Sequence, residues 1–105
     1  MLYVSNAFSL NMLENFPVTC TIEEINIKEV KEMLRFYKWQ SSIGHEATAK
    51  VLTSLMDIEI SYNRVTLKLS LSNDQCIVAQ YSGPRLEEGT TVLPKDATIK
   101  FFLVK

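Results

Sequence analysis

The chain has 105 residues, 47% of them hydrophobic and 22% charged, with a formal net charge of −1. That is the size and balance of one globular domain able to build its own core. It argues against a general grip on polymeric DNA or RNA, which needs a broad basic surface, and leaves room for a small anion held by a few local arginines.

In chain order, "LYVS" (2–5) reads as a short strand, followed by a polar-aromatic turn, "NAFSLNML". "VTCTI", Val18 to Ile22, is rich in β-branched residues and predicts strand two. From Ile27 the apolar residues Ile27, Val30, Met33, Leu34 and Tyr37 recur at helical spacing. Asn26 is placed to cap that helix, with Glu29 three residues on to close a capping box. "FYKWQSS" ends it. A second helix is predicted from about Gly44 to Leu55, with Ile43, Ala47, Val51 and Leu55 on one stripe. "RVTLKLSL" then alternates, Val65, Leu67, Leu69 and Leu71 against Arg64, Thr66, Lys68 and Ser70, as a half-buried strand does. "SND" (72–74) reads as a hairpin turn into the strand "QCIVAQYS". "GPRLEEGT", bracketed by glycines, reads as a loop or lid, and "ATIKFFLVK" closes the chain as a strand. The sum is a single α/β (α+β) domain: about five strands in a mixed sheet flanked by two helices.

Two cysteines, Cys20 and Cys76, form no CxxC pair, and the chain holds one histidine. A zinc site is therefore not expected, and both thiols read as buried packing groups rather than a disulfide. No apolar run approaches membrane-spanning length, and "MLYVSNAFS" lacks a basic segment before a hydrophobic one. The expectation is a cytoplasmic protein without a membrane partner.

Four stretches carry candidate chemistry, each with an ordinary alternative. His45 sits near a helix start, where a surface imidazole needs no function. The free amides and dipole there also favour a bound anion. They oppose an imidazolium until a phosphate arrives, so His45 could act as a general acid charged by its own substrate. Ser41, Ser42 and Thr48 add hydroxyls nearby. Asn6, Ser9 and Asn11 are ordinary turn formers, but a loop after a strand is also where ligand groups are commonly placed. Asn63 and Arg64 open the alternating stretch, and a lone arginine is usually a solvated side chain. Arg85, Glu87 and Glu88 could be no more than a charged turn.

Together, "NAFSLNML", "SxIGHxxT", "NRV" and "RLEEG", in this order and spacing, resemble the type III anti-CRISPR ring nuclease family, small proteins of viruses and their hosts. The resemblance runs from about Leu2 to Gly89 and loosely on to the last strand. It implies a phosphodiesterase that needs no metal or cofactor and cleaves cyclic tetra-adenylate, the second messenger of type III CRISPR defence. It also implies a homodimer with the ring on the twofold axis and a lid from each subunit, in the host cytoplasm if the protein is viral. By motif, His45 matches the catalytic histidine, and Glu88 would orient it or hold its proton. Asn6, Ser9 and Asn11 match the first ligand loop. Gly44, Thr48, Arg64 and Arg85 match further ligand or lid positions. Gly83-Pro84 departs from the family, which has a polar residue before the arginine; Gln80 is the nearest glutamine and is taken as the substrate contact.

The residue types suit that chemistry. An RNA ring carries its own nucleophile, the ribose 2′-hydroxyl. The protein need only hold it in line with phosphorus and protonate the leaving 5′-oxygen, giving 2′,3′-cyclic phosphate ends. Arginines would neutralise phosphate charge, and a dimer doubles the set around a twofold ligand. Two other classes stand beside this one: a module that captures a cyclic oligonucleotide without cleaving it, and a viral DNA-binding or structural protein using Arg64, Thr66 and Lys68. The net charge argues against the latter. In a host-encoded member the same reaction would switch off the host's own response.

Overall fold

A computed structural model describes all residues, 1–105. Its elements are β1 (Leu2–Ser5), a 3-10 turn (Leu10–Met12), β2 (Ile22–Ile25), α1 (Ile27–Phe36), β3 (Trp39–Ser41), α2 (Glu46–Met56), β4 (Gln75–Ser82) and β5 (Thr98–Val104). The five strands form one mixed sheet in the order β2-β5-β4-β1-β3. β1 runs parallel to both β3 and β4, pairing Leu2 with Trp39 and with Gln75. β5 is antiparallel to β4 and to β2. The predicted class, strand count and helix count match this architecture.

The predicted cap of α1 forms: Glu29 N–H donates to Asn26 Oδ1 at 2.8 Å, and Asn26 N–H to Glu29 Oε1 at 3.3 Å. On one face of the sheet, Val4, Ile77, Ala79 and Phe101 pack against Val30 and Leu34 of α1 and Ala49, Leu52 and Met56 of α2. On the other face, Cys76, Val78 and Val104 are buried beneath Leu13, Leu67 and Leu69. β4 is thus covered on both sides, which is why "CIVA" is apolar without alternation.

Three sequence expectations are corrected. Strand two lies at Ile22–Ile25, not Val18–Ile22. α2 begins at Glu46, with Gly44 outside it, and Leu55 is exposed rather than part of the buried stripe. "RVTLKLSL" is not a strand, so "SND" closes no hairpin. It lies as extended chain across the second sheet face, with an isolated bridge between Leu13 and Leu69 and a 2.7 Å bond from Leu69 N–H to Met12 O. Leu67 and Leu69 are buried there, while Val65 is exposed. An extended segment laid on a sheet alternates as a strand does, so period two reported its backbone and one covered face but not its pairing. The fifth strand is instead β3, a three-residue piece inside "FYKWQSS".

Both cysteines are free, Cys76 fully buried and Cys20 half-buried. Burial pushes the Cys76 thiol up to about 12 from 9.0. The unfolded thiol therefore ionises first, so its contribution to stability is intact below about pH 9 and is lost as pH climbs toward 12. In the native protein at pH 8, a thiol reagent should label Cys20 readily and Cys76 only after denaturant is added. Equal labelling rates would contradict the burial.

Candidate functional site

Because β1, β3 and β4 are parallel, their carboxyl ends lie at one end of the sheet. Ligand sites in α/β sheets open at such ends. Each strand leads into one of the predicted motifs: β1 into Asn6, β3 into Ser42–His45, and β4 into the Gly83–Gly89 loop. Topology, not sequence proximity, brings the motifs together.

The junctions are locked by backbone and side-chain bonds. Ser42 N–H and Oγ both donate to Val4 O, at 2.8 and 3.1 Å. Ser41 Oγ donates to Ser61 O at 2.6 Å. Both serines are buried and their hydroxyls hold the scaffold; Ser42 also lines a cavity that His45 shares, whereas Ser41 lines none of those at His45. Asn6 Oδ1 accepts from Gly44 N–H at 3.0 Å and ties the first loop to the segment before α2. A Cβ on Gly44 would meet only the Arg64 side chain at 3.5 Å and Asn6 Oδ1 at 3.9 Å. This glycine keeps space open between those two groups and is not demanded by backbone conformation.

His45 is the N-cap residue of α2, one step before the helix begins at Glu46 and not inside its first turn as predicted. Its Nδ1 accepts from Thr48 N–H at 3.2 Å and lies 3.0 Å from Thr48 Oγ1. Asn or Ser usually fills this position. Here the ring itself satisfies one of the amides left free at the start of the helix.

Three adjoining cavities share His45. One of about 540 Å³ is lined by Asn6, Ser9, Asn11, Gly44 and Arg64, with no carboxylate. A larger one of about 740 Å³ runs from Gly44 and Arg64 to Arg85 and Glu88. A third, about 340 Å³, joins Asn6, His45 and Thr48 to Gln80 and Arg85. All ten candidate residues therefore line one connected surface. Neither arginine has a carboxylate within 4.0 Å; the ion pairs are Met1–Asp74, Lys50–Glu46 and Lys105–Glu23. Glu88 makes no bond to His45. No three His, Cys, Asp or Glu side chains converge as a metal site would require.

The loop after β4 is anchored rather than free. Leu86 is buried against Ala47 and Val51 of α2. Tyr81 hydroxyl donates to Pro84 O, and Ser54 Oγ to Thr91 O at 2.7 Å. Arg85 and Glu87 thus flank a fixed point. Sequence reasoning missed Tyr62, an exposed aromatic side chain on the wall of the largest cavity. It is held by an isolated bridge to Ile43 and by the adjoining bond from Asn63 N–H to Ile43 O, 2.9 Å. It missed Lys50 as well, one helical turn beyond Glu46 on the same wall.

The sequence pattern of one family, described as STIV B116-like, matches residues 2–101. The chain belongs to the STIV B116-like family. The solved structure of B116 of Sulfolobus turreted icosahedral virus (STIV) superposes with a TM-score of 0.81, at 28% identity over 98% of this chain and 97% of that one. Protein 26 of Sulfolobus islandicus filamentous virus (isolate Iceland/Hveragerdi) is 35% identical over 92 residues, 88% of this chain and 76% of the viral protein. YddF of Bacillus subtilis (strain 168) is 36% identical over 64 residues, 59% of each chain. Relatives of this B116-like chain therefore occur in viruses and in a bacterium. No helix of the B116-like domain is long and apolar enough to cross a membrane.

Proposed function

We propose that this B116-like protein is a ring nuclease: a metal-independent phosphodiesterase that binds cyclic tetra-adenylate and opens it by 2′-hydroxyl attack, ending type III CRISPR signalling. The observation that carries the reading is the surface around His45. The one histidine of the chain stands where three cavities meet, its Nδ1 engaged by Thr48 and its Nε2 without a protein partner. Two arginines without carboxylate partners, Arg64 and Arg85, flank it.

Asn6, Ser9, Asn11 and Arg64 would hold a phosphate in the cavity that has no carboxylate. Gln80 and Arg85 would hold the ring from the lid side. A charged His45 would protonate the leaving 5′-oxygen from Nε2. Glu88, in the largest cavity, would reach His45 only when ligand closes that space. The proposed assembly is a homodimer around a twofold ring. Leu10, Tyr62 and Val65, large apolar side chains left exposed within or beside the lining segments, support it. The expected place of action is the cytoplasm.

Single-turnover incubation with labelled cyclic tetra-adenylate in EDTA tests this, with light scattering for the dimer. Cleavage to fragments ending in 2′,3′-cyclic phosphate is the expected result. Tight binding without cleavage would support a second reading, capture of the messenger. One observation favours that alternative: an imidazole whose Nδ1 accepts the helix-capping bond is neutral, and a neutral imidazole is a weak acid.

A further inference from the structure

Nδ1 of His45 faces two groups of the same residue. Thr48 N–H, 3.2 Å away, can only donate. Nδ1 must therefore present its lone pair, which puts the ring proton on Nε2. Thr48 Oγ1, at 3.0 Å, can donate or accept. Thr48 is buried, while His45 is exposed.

We propose that Thr48 is a positioning residue with two settings. In the free protein it holds His45 as the neutral Nε2–H form. Once a phosphate charges the ring, its hydroxyl turns to accept the new Nδ1–H. The first setting stands on the geometry alone; the second rests on the ring nuclease reading.

The exchange follows from donor and acceptor counts. A proton on Nδ1 would point at a backbone N–H, donor against donor, so the capping bond is lost when the ring charges. Only the hydroxyl can reverse. Around His45, Glu46 and Lys50 lie on α2, Arg64 on the segment after α2, and Arg85, Glu87 and Glu88 on the loop after β4, while β1 contributes neutral Asn6. The two arginines oppose a charged ring, the glutamates are exposed and solvated, and a phosphate between the arginines tips the balance. In the reaction the bond from the 2′-oxygen to phosphorus forms and the bond from phosphorus to the 5′-oxygen breaks. The 2′-hydroxyl proton leaves to solvent, and the Nε2 proton goes to the 5′-oxygen. The ring is left neutral with its proton on Nδ1, and exchange with solvent restores the Nε2–H form and the helix cap. A new turnover therefore starts with an acid that is uncharged until ligand binds.

The single histidine makes this directly measurable, because a uniformly 15N-labelled full chain gives one imidazole spin system in a two-bond proton–nitrogen spectrum. At mildly alkaline pH, Nε2 alone should be protonated. With cyclic tetra-adenylate bearing 2′-O-methyl riboses, which cannot attack, both nitrogens should be protonated at that same pH. Thr48→Val keeps the backbone N–H and shape but loses the hydroxyl, so with that same ligand its Nδ1 should remain unprotonated. Its single-turnover cleavage should fall about tenfold, the equivalent of one hydrogen bond. Thr48→Ser should restore both. Protonated Nδ1 in the free wild type would overturn the proposal without any variant. So would a Val variant that charges and cleaves as wild type does. If the wild type cleaves nothing, the ring nuclease reading falls, while the free-chain spectrum still decides the first setting of Thr48.

Discussion

Exchanging His45 for asparagine should cost cleavage about a hundredfold or more, the typical worth of a positioned general acid, and leave stability close to wild type. Exchange for alanine should cost both. On the ring nuclease reading the imidazole has two separable jobs in this fold. Its Nδ1 caps α2 by accepting Thr48 N–H at 3.2 Å, and its Nε2 faces the cavities. Asparagine is among the best N-cap residues, and its Oδ1 can take the same amide, whereas alanine leaves the amide without a partner at a cost of about 0.5–2 kcal/mol. For a domain of this length that corresponds to a fall in the melting midpoint of roughly 4–8 °C per kcal/mol. Asparagine offers no ionisable proton, so cleavage separates from folding. The measurement is single-turnover cleavage of cyclic tetra-adenylate beside thermal unfolding of the three proteins. An asparagine variant that cleaves within about tenfold of wild type, well inside the range a lost acid should exceed, would show that His45 is a cap and no more.

That double use explains why the histidine was legible as a candidate but its placement was not. Helix-start signals favour Asn, Ser, Thr and Asp, and they put the start of α2 near Gly44 with His45 inside the first turn. The structure makes His45 the cap itself. Elsewhere, β1, α1 with its capping box, β4 and β5 were readable because each carries a full period of pattern. β3 was not: Trp39–Ser41 is three residues long, begins three residues after α1 ends, and gives no periodic signal. Its loss from the sequence reading hid Tyr62 as well, since that side chain is held through the bridge to Ile43, just beyond β3. β2 was displaced because propensity favoured Val18, Thr19 and Thr21. The segment that actually pairs with β5 is an edge strand whose Glu23 and Glu24 face solvent. Charges on an edge are a common guard against unwanted pairing, and they mask the strand from hydropathy. The ten candidate residues were named by motif and line one surface, and the parallel placement of β1, β3 and β4 that gathers them lies in no single segment.

The Gly83-Pro84 pair before Arg85 has a structural reason on its glycine side. Gly83 has φ +151°, and a Cβ there would lie 2.7 Å from Ala97 Cβ and 2.8 Å from Ala97 Cα. Ala97 is buried and its N–H is bonded to Pro94 O at 3.1 Å, so it is not free to retreat. Gly83→Ala combines backbone strain with overpacking and should cost about 2–4 kcal/mol. Gly89 supplies the contrast. Its φ is +87°, but nothing lies within 4 Å of a Cβ built there, so Gly89→Ala should cost only the backbone term, about 1 kcal/mol. The two substitutions bracket the same loop, and denaturant unfolding ranks them. The ring should feel the difference too. Arg85 follows Gly83 by two residues, and Leu86 beyond it is seated against α2. On the ring nuclease reading, moving the loop off Ala97 would pull Arg85 away from a bound phosphate, and a lost charged hydrogen bond is worth about 1.5–3 kcal/mol, roughly ten- to a hundredfold in affinity. Arg85→Ala should lose a similar factor in affinity with little change in stability, whereas Gly83→Ala should lose both. Equal stability of the two glycine variants would mean that the loop leaves the end of the sheet readily, and that contact with Ala97 is not what fixes Arg85 at the site.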